Sequence, residues 1–203
     1  MNGLKFVSFG NDCRSGFQIR RYFGKDRCLP TIFDRQVTPP EAIYAYLEND
    51  FRGMFEADDV VRVGDHLYNM RYGTKYAHEV DDAARRSFAA GKAEHERLCE
   101  LTRNALLGDA PVLAVVHWGR AFKCPTELIT KLHDYSPDHE VLVVRDLGSG
   151  TPGQASWRGD NSQWDKAFSP FGEPIHLTPW QVQHKRLKRH IKRLRGSGMW
   201  EGY

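Results

Sequence analysis

Three runs of strand character dominate the hydrophobic pattern of this chain. They cover residues 4–10, 111–117 and 140–145, and each is short enough to be a strand rather than a helix. Residues 126–133, with leucine and isoleucine at helical spacing, separate the last two runs. Continuous apolar strands that alternate with helices are typical of a parallel sheet. The pattern therefore predicts an α/β fold: a three-layer sandwich with a mainly parallel sheet and helices on both faces.

Proline residues mark two further elements. Pro30 favours extended backbone before it, so residues 29–34 are predicted to be extended. Pro39 and Pro40 open a predicted helix. Its apolar side chains recur at every fourth position, which is the spacing of one helix face: Ile43, Leu47 and Phe51.

A hairpin and a long helix are predicted in the middle of the chain. Two short runs, residues 60–63 and 66–70, flank Gly64 and Asp65, a pair that favours a tight turn. The stretch at residues 76–82 leads into a long polar helix. That helix is predicted to end near Leu107, because Gly108 is a plausible stop.

The composition indicates one intracellular domain. The 203 residues are 40% hydrophobic and 12% aromatic, which is enough to bury a core, and a single domain is predicted over residues 1–203. No apolar run approaches the roughly 18 residues of a membrane span, and no secretory signal is expected. The four cysteines show no Cys-x-x-Cys pair, so a reducing, cytoplasmic location is expected: Cys13, Cys28, Cys99 and Cys124.

Basic residues are concentrated near the C-terminus. The net charge is +3, and residues 184–195 hold seven of the 29 basic residues and no acid. We predict a basic helix over residues 179–195 with an apolar stripe of Leu187, Ile191 and Leu194. Such a helix could hold an anionic partner, either nucleic acid, an acidic polymer or a membrane surface. Alternatively, the stripe packs on the core and the basic face is solvated.

Cys13 has the most distinctive chemical setting in the sequence. The first strand breaks at Gly10, and Asn11 and Asp12 favour helix N-termini. A helix predicted over residues 14–23 would place the sulfur at its first turn. Unpaired amides and the positive end of the helix dipole favour a thiolate there, so the sequence predicts a reactive nucleophile. The alternative is a small apolar residue buried at a strand-to-helix corner.

A cysteine nucleophile needs a base, and usually a third group that orients the base. Among nine histidines, His78 precedes a helix and His117 ends a buried strand, where parallel sheets bind ligands. Asp34 follows an apolar triplet, and Asp146 follows the third apolar run. His78 or His117 is the predicted base, and Asp34 or Asp146 the predicted orienting group. Each of these residues could instead be structural.

Two weaker features could bind an anionic cofactor. A glycine-rich loop contains Gly148 and Gly150, whose backbone amides could hold a phosphate, but the loop has neither the Walker nor the dinucleotide pattern. Arg120, which follows the second apolar run, could attract the phosphates of coenzyme A. An ordinary loop and a surface arginine are the simpler interpretations.

Several segments resemble an uncharacterised bacterial family labelled papain-like cysteine peptidases. The opening at residues 6–13 resembles that family's Ser-Leu-Gly-x-x-Cys start. Residues 31–35 resemble its Pro-Phe-Asp-Trp motif, and residues 76–80 its His-Asp-Phe motif. Residues 112–117 match its apolar strand, and residues 157–164 its closing segment. The resemblance spans roughly residues 4–168, with order and spacing kept.

The resemblance implies roles for three residues. Cys13 would be the nucleophile, His78 the base, and Asp34 would orient the base or shape the pocket. Arg35 and Glu79 stand where the family has tryptophan and aspartate. The resemblance also implies a papain-like α+β variant as the alternative fold.

Acyl chemistry at Cys13 is the function that these patterns favour. We expect a hydrolase of the peptidase or amidase type, acting on a small-molecule, peptide or glycan substrate without a required cofactor. The segment at residues 10–13 is also similar to the Gly-Asn-Cys opening of capsule-biosynthesis acetyltransferases, with one additional residue. This similarity implies an O-acyltransferase that uses coenzyme A on a cell-envelope polysaccharide. Two non-catalytic alternatives are a protein that binds an anionic partner through its basic helix, and a relative that has kept the fold without the chemistry.

Overall fold

The computed structural model of the protein describes residues 4–117, 125–144 and 158–175. The chain divides into two units, Met1–Glu173 and Pro174–Tyr203, and the fold and site described below belong to the first. The basic helix predicted over residues 179–195 lies outside the described residues. The single domain predicted over residues 1–203 stays a prediction.

Strands in the described residues form two four-stranded sheets. In chain order the strands are β1 (Lys5–Gly10), β2 (Cys28–Leu29), β3 (Gln36–Val37), β4 (Val60–Val63), β5 (His66–Asn69), β6 (Thr74–Tyr76), β7 (Val112–His117) and β8 (Glu140–Val144). The first sheet has the order β2-β1-β7-β8 and all its pairs are parallel. The second has the order β3-β6-β5-β4 and is antiparallel. The fold is therefore mixed α/β, and the three predicted runs form three of the four strands of its parallel sheet.

Six α-helices connect these strands within the described residues. They are α1 (Arg14–Tyr22), α2 (Pro40–Glu48), α3 (His78–Arg86), α4 (Phe88–Leu107), α5 (Pro125–His133) and α6 (Asn161–Phe168). The predicted start of α2 at the two prolines, the hairpin at Gly64 and the end of α4 before Gly108 are confirmed. No helix in the described part of the chain combines the length and the apolar character that crossing a membrane requires.

The side chains of β1 alternate between two apolar clusters. Val7 and Phe9 belong to a cluster that includes residues of α2, α4 and α5. Phe6 belongs to the other, together with Ile19 of α1 and Trp164 of α6. Since successive side chains of a strand point to opposite faces, β1 buries both of its faces. Burial on both faces explains why its sequence is nearly continuous in apolar residues.

The extended conformation predicted for residues 29–34 is wrong beyond the first residues. Ile32–Arg35 forms a 3-10 turn, which Thr31 and Asp34 stabilise through a reciprocal capping box. The Asp34 carboxylate accepts a hydrogen bond from the Thr31 amide at 3.4 Å. This local side-chain contact satisfies the backbone of a turn, and the effect of Pro30 on its own neighbour does not extend that far.

The long polar helix is in fact two helices. Ser87 separates α3 from α4 with extended backbone (φ −167°, ψ 156°). Its hydroxyl accepts a hydrogen bond from the Ala90 amide at 3.1 Å and so caps α4. The two helices pack closely on each other, which a single continuous helix would not allow.

His95 of α4 is one of three buried histidines in the described residues. His95 is 1% exposed, and its Nε2 lies 2.7 Å from the hydroxyl of Tyr46. The rings of Phe55 and Tyr76 also contact it. Burial, with a smaller effect of the Lys92 charge, lowers the pKa of His95 from 6.5 to about 3.

This burial predicts a pH-dependent stability. Because the pKa of His95 is lower in the folded than in the unfolded chain, the unfolded chain binds the proton first as the pH falls through 6.5. We expect the free energy of unfolding to fall between pH 6 and pH 4 by about 2 kcal/mol from this residue alone. Urea unfolding of wild type and His95→Gln at several pH values measures the difference. His66→Gln, at an exposed position, is the control, and equal slopes in all three proteins would contradict the assignment.

Candidate active site

A tight turn after β1 carries the candidate nucleophile. A Cβ atom on Gly10 would lie 2.8 Å from the Ser15 hydroxyl and 2.9 Å from the Asp12 carbonyl oxygen, so only glycine fits this close approach. The carbonyl of Asn11 accepts a hydrogen bond from the Thr38 amide at 3.0 Å. The chain thus turns directly from the carboxyl end of the parallel sheet into α1.

Asp12 and Cys13 form the start of α1. The Asp12 carboxylate accepts a hydrogen bond from the Arg14 amide at 2.9 Å, and Cys13 is the N-cap residue (φ −72°, ψ 5°). The Cys13 carbonyl accepts the first helical hydrogen bond, from Phe17 at 3.0 Å. The thiol is free and its side chain is half-buried. The predicted position of Cys13 at the start of a helix is confirmed.

His117 lies beside this helix start because of strand register. In the parallel pairing of β1 with β7, Gly10 is opposite His117. His117 Nδ1 lies 3.6 Å from Asp12 Oδ1, and His117 Nε2 lies 3.2 Å from Nη1 of Arg14. A guanidinium can only donate, so Nε2 is the acceptor and the imidazole proton is on Nδ1, facing Asp12. The ring of Trp164, at 5.9 Å between centroids, packs against the imidazole.

The Asp12 carboxylate is held in its charged form. Burial alone would raise its pKa, but the contact with His117, the Arg14 amide and the Arg14 guanidinium together outweigh burial and lower the pKa. A charged Asp12 is suited to orient the Nδ1–H of His117. It also places a negative charge next to Cys13.

The pKa of Cys13 shifts against the sequence-based expectation. Burial raises it, the Asp12 and Asp34 carboxylates raise it further, and a backbone hydrogen bond and Arg20 oppose them without prevailing. The helix N-terminus therefore does not produce a thiolate here, because desolvation and two carboxylates outweigh it. The shift favours the protonated thiol over the thiolate.

Asp34 is buried behind the first turn of α1. It is 2% exposed and pairs with Arg20 at 3.3 Å, and among the described residues its Oδ1 has no hydrogen-bond partner. Burial raises its pKa despite the pairing with Arg20. The carboxylate occupies the space that a side chain at position 16 would need, so Gly16 allows it to lie against the helix. In the described residues no hydrogen bond joins Asp34 to a histidine, and its role in orienting the base stays a prediction.

His78 is the exposed first residue of α3 and has a left-handed backbone conformation (φ 52°). The amide of Ala77, which precedes His78, donates a hydrogen bond to the carbonyl of Arg35 at 2.9 Å. His78 therefore follows the paired strands β3 and β6, and β3 comes directly after the turn that contains Asp34. No hydrogen bond or ion pair joins His78 to Cys13 within the described ranges. The assignment of His78 as base stays a prediction, and the contacts of His117 favour the alternative.

The two residues that depart from the resembled motifs contact each other. Arg35 Nη1 lies 3.0 Å from Oε1 of Glu79. This ion pair lies beside the 3-10 turn.

Four other predicted site residues, Asp146, Arg120, Gly148 and Gly150, lie outside the described residues. Within residues 4–117, 125–144 and 158–175, no three His, Cys, Asp or Glu side chains are grouped to hold a metal ion.

Two residues next to the nucleophile were missed as site residues in the sequence. Asp12 was identified there only as a helix cap, and Arg14 only as a helical residue. Both flank Cys13 directly, so their adjacency in the sequence is a signal that was available. Their partner His117 lies 103 residues from Arg14 in the chain, so only the strand pairing shows the contact.

Comparison of the chain with protein-family models, with curated proteins and with solved structures finds no significant match.

Removing the charge of Asp12 should make Cys13 more acidic. Because the Asp12 carboxylate raises the pKa of the thiol, we expect Asp12→Asn to lower the midpoint of the pH profile of iodoacetamide labelling by about 0.5 to 1 pH unit. Mass spectrometry of the labelled peptide identifies Cys13. Asp26→Asn, at an exposed position, should leave the midpoint unchanged, and an unchanged or higher midpoint in Asp12→Asn would refute the electrostatic account.

The space between Gly16 and Asp34 predicts a coupled destabilisation. An added methyl group in Gly16→Ala overlaps with Oδ1 of Asp34 and displaces a buried carboxylate, at a cost of about 2–4 kcal/mol in the free energy of unfolding. In the double variant Gly16→Ala/Asp34→Ala the overlap is gone. The free energy of unfolding should therefore fall by less in the double variant than the sum of the losses in the two single variants. Urea denaturation of the four proteins tests this. Simple additivity would show that the two residues do not touch.

Proposed function

We propose that the protein is a cysteine-dependent enzyme of acyl chemistry in which Cys13 is the nucleophile, His117 the base and Asp12 the group that orients the base. One observation carries this proposal: the β1–β7 register brings the Asp12–His117 pair to the start of the helix that presents Cys13. A nucleophile, a base and an orienting carboxylate are the groups that this chemistry requires.

The raised pKa of Cys13 determines how the reaction begins. Since the resting thiol is protonated, it must lose its proton as it attacks the acyl carbonyl. The proton goes to Nε2 of His117, the Sγ–C bond forms, and Asp12 stabilises the imidazolium through Nδ1–H. First-turn amides of α1, such as those of Ser15 and Gly16, have no partner within the helix and can stabilise the oxyanion. The bond between the acyl carbon and the leaving group then breaks, and His117 gives the proton to that group.

The second half of the reaction defines the enzyme class. Water as acceptor gives a hydrolase of the peptidase or amidase type, in line with the resemblance to papain-like cysteine peptidases. A sugar hydroxyl as acceptor gives the alternative, an O-acyltransferase on a cell-envelope polysaccharide with coenzyme A as acyl donor. In either case His117 deprotonates the acceptor, which attacks the thioester carbonyl. The Sγ–C bond then breaks, and His117 returns the proton to the Cys13 sulfur.

We further propose a three-layer sandwich around the parallel sheet. The alternation of β1 side chains between two apolar clusters supports it, with α1 and α6 contributing to one cluster and α2, α4 and α5 to the other. A parallel strand that leads directly into Cys13 speaks against a papain-like α+β variant, in which the cysteine lies on a central helix.

Acylation of Cys13 by an activated ester tests this proposal. We expect p-nitrophenyl acetate to release p-nitrophenol and to leave an acetyl group on Cys13, which peptide mass spectrometry locates. His117→Ala should slow this acylation by about 10²–10⁴-fold, the usual contribution of a general base. Cys13→Ala should not be acetylated at that position.

Two controls separate the base from its alternatives. His78→Ala should retain acylation close to the wild-type rate, and each variant should unfold in urea with a wild-type midpoint. A His78→Ala rate as low as that of His117→Ala would transfer the base to His78. Acetylation confined to lysines or to Cys28 and Cys99 would refute the proposal that the protein is an enzyme acting through Cys13.

A further inference from the structure

Arg14 contacts the nitrogen of His117 that must accept the proton in the proposed reaction. Its Nη1 lies 3.2 Å from Nε2 of His117, and Nε2 is the acceptor that takes the thiol proton in the proposed reaction. Within the described residues no hydrogen bond joins the Cys13 thiol to His117. The resting arrangement therefore has to change before the thiol can reach its base.

Arg14 is also placed to meet a substrate. It directly follows Cys13 in the first turn of α1, and 13% of its side chain is exposed. Its contact with Asp12 is long, 3.9 Å between Nη2 and Oδ2. A planar guanidinium binds a carboxylate through two parallel hydrogen bonds, which are stronger than one donated to a neutral imidazole.

The geometry points to a substrate that carries a carboxylate close to the acyl group, which Arg14 binds in exchange for its contact with His117 Nε2. This inference rests on the proposed function, and it adds the substrate class and a requirement for substrate before the base is released. Arg14 is then a specificity-determining residue, because a neutral substrate displaces it from the imidazole less readily than a carboxylate does.

The charges of the site favour a monoanion. Asp12 and Arg14 carry opposite charges, and the proton transfer from Cys13 to His117 leaves the net charge unchanged, because the imidazolium forms together with the oxyanion. With Asp12 and Arg14, a substrate carboxylate leaves one negative charge in excess, whereas a phosphate dianion leaves two beside Asp12. Negative charges close together in a half-buried site repel each other strongly.

Two alkylating reagents of nearly equal size test the inference. Iodoacetate carries a carboxylate next to its reactive carbon, and iodoacetamide is its neutral counterpart. In both reactions the Sγ–C bond forms, iodide leaves, and the thiol proton passes to His117. We expect the ratio of iodoacetate to iodoacetamide labelling rates at Cys13 to fall about five- to tenfold in Arg14→Gln at low ionic strength.

Matched variants isolate the cause. Lys25→Gln removes the same charge from an exposed position beyond the other end of α1 and should leave the ratio unchanged. Arg14→Lys keeps the charge without the planar fork and should give an intermediate ratio. A wild-type ratio in Arg14→Gln, with the variant folded by circular dichroism, would overturn the inference.

A second measurement tests whether a carboxylate releases His117 from its contact with Arg14. Unreactive acetate should accelerate iodoacetamide labelling of the wild type, compared with chloride at equal ionic strength, and should not do so in Arg14→Gln. No acceleration would overturn the exchange, and a larger acceleration by inorganic phosphate would overturn the preference for a carboxylate.

His117→Ala tests the proposed function separately. If iodoacetamide labels Cys13 in His117→Ala at the wild-type rate, the assignment of His117 as the base is refuted, whatever the ratio of the labelling rates of the two reagents.

Discussion

The parallel pairing of β1 with β7 is the constraint on which the candidate site depends. It sets Gly10 opposite His117, and the turn that Gly10 permits then brings Asp12 against the imidazole. The register is fixed by apolar burial, since every residue of β7 is buried. A shift by one residue would turn His117 to the opposite face of the sheet. The chemistry therefore depends on a packing interaction that contains no catalytic group.

Electrostatics around Cys13 favour its protonated thiol. Burial raises the pKa of the thiol, and the carboxylates of Asp12 and Asp34 raise it further. Arg14 meanwhile holds the acceptor nitrogen of His117. Both effects point in the same direction: the nucleophile keeps its proton and the base is occupied. In the proposed enzyme the substrate would complete the site, and until it binds the thiol is protected from unselective reaction.

The sequence predicts those parts of the fold that local pattern determines. The three apolar runs became the long parallel strands, and Cys13 begins a helix because Gly10 and Asp12 provide a turn and a cap. The strands β3 and β6 were missed because two or three residues are too few to show alternation. The 3-10 turn at Asp34 was missed because a capping box outweighed the extended preference near Pro30.

The site was less predictable than the fold, for a physical reason. Helix position alone suggests a lowered pKa for Cys13, but the sign of the shift depends on how deeply the sulfur is buried and on which charges lie near it. Those quantities come from tertiary contacts. The choice between His78 and His117 likewise depends on tertiary contacts, because the sequence places each beside a predicted element: His78 before a helix and His117 at the end of a strand.

The most direct test of the account is the tautomer of His117, measured by ¹⁵N NMR of the imidazole in wild type and in Asp12→Asn. The account predicts that the neutral ring carries its proton on Nδ1, facing Asp12, with Nε2 unprotonated and able to accept a proton from Cys13. In Asp12→Asn this preference should weaken. A wild-type ring protonated on Nε2 would contradict the account, because that nitrogen could not then act as the base.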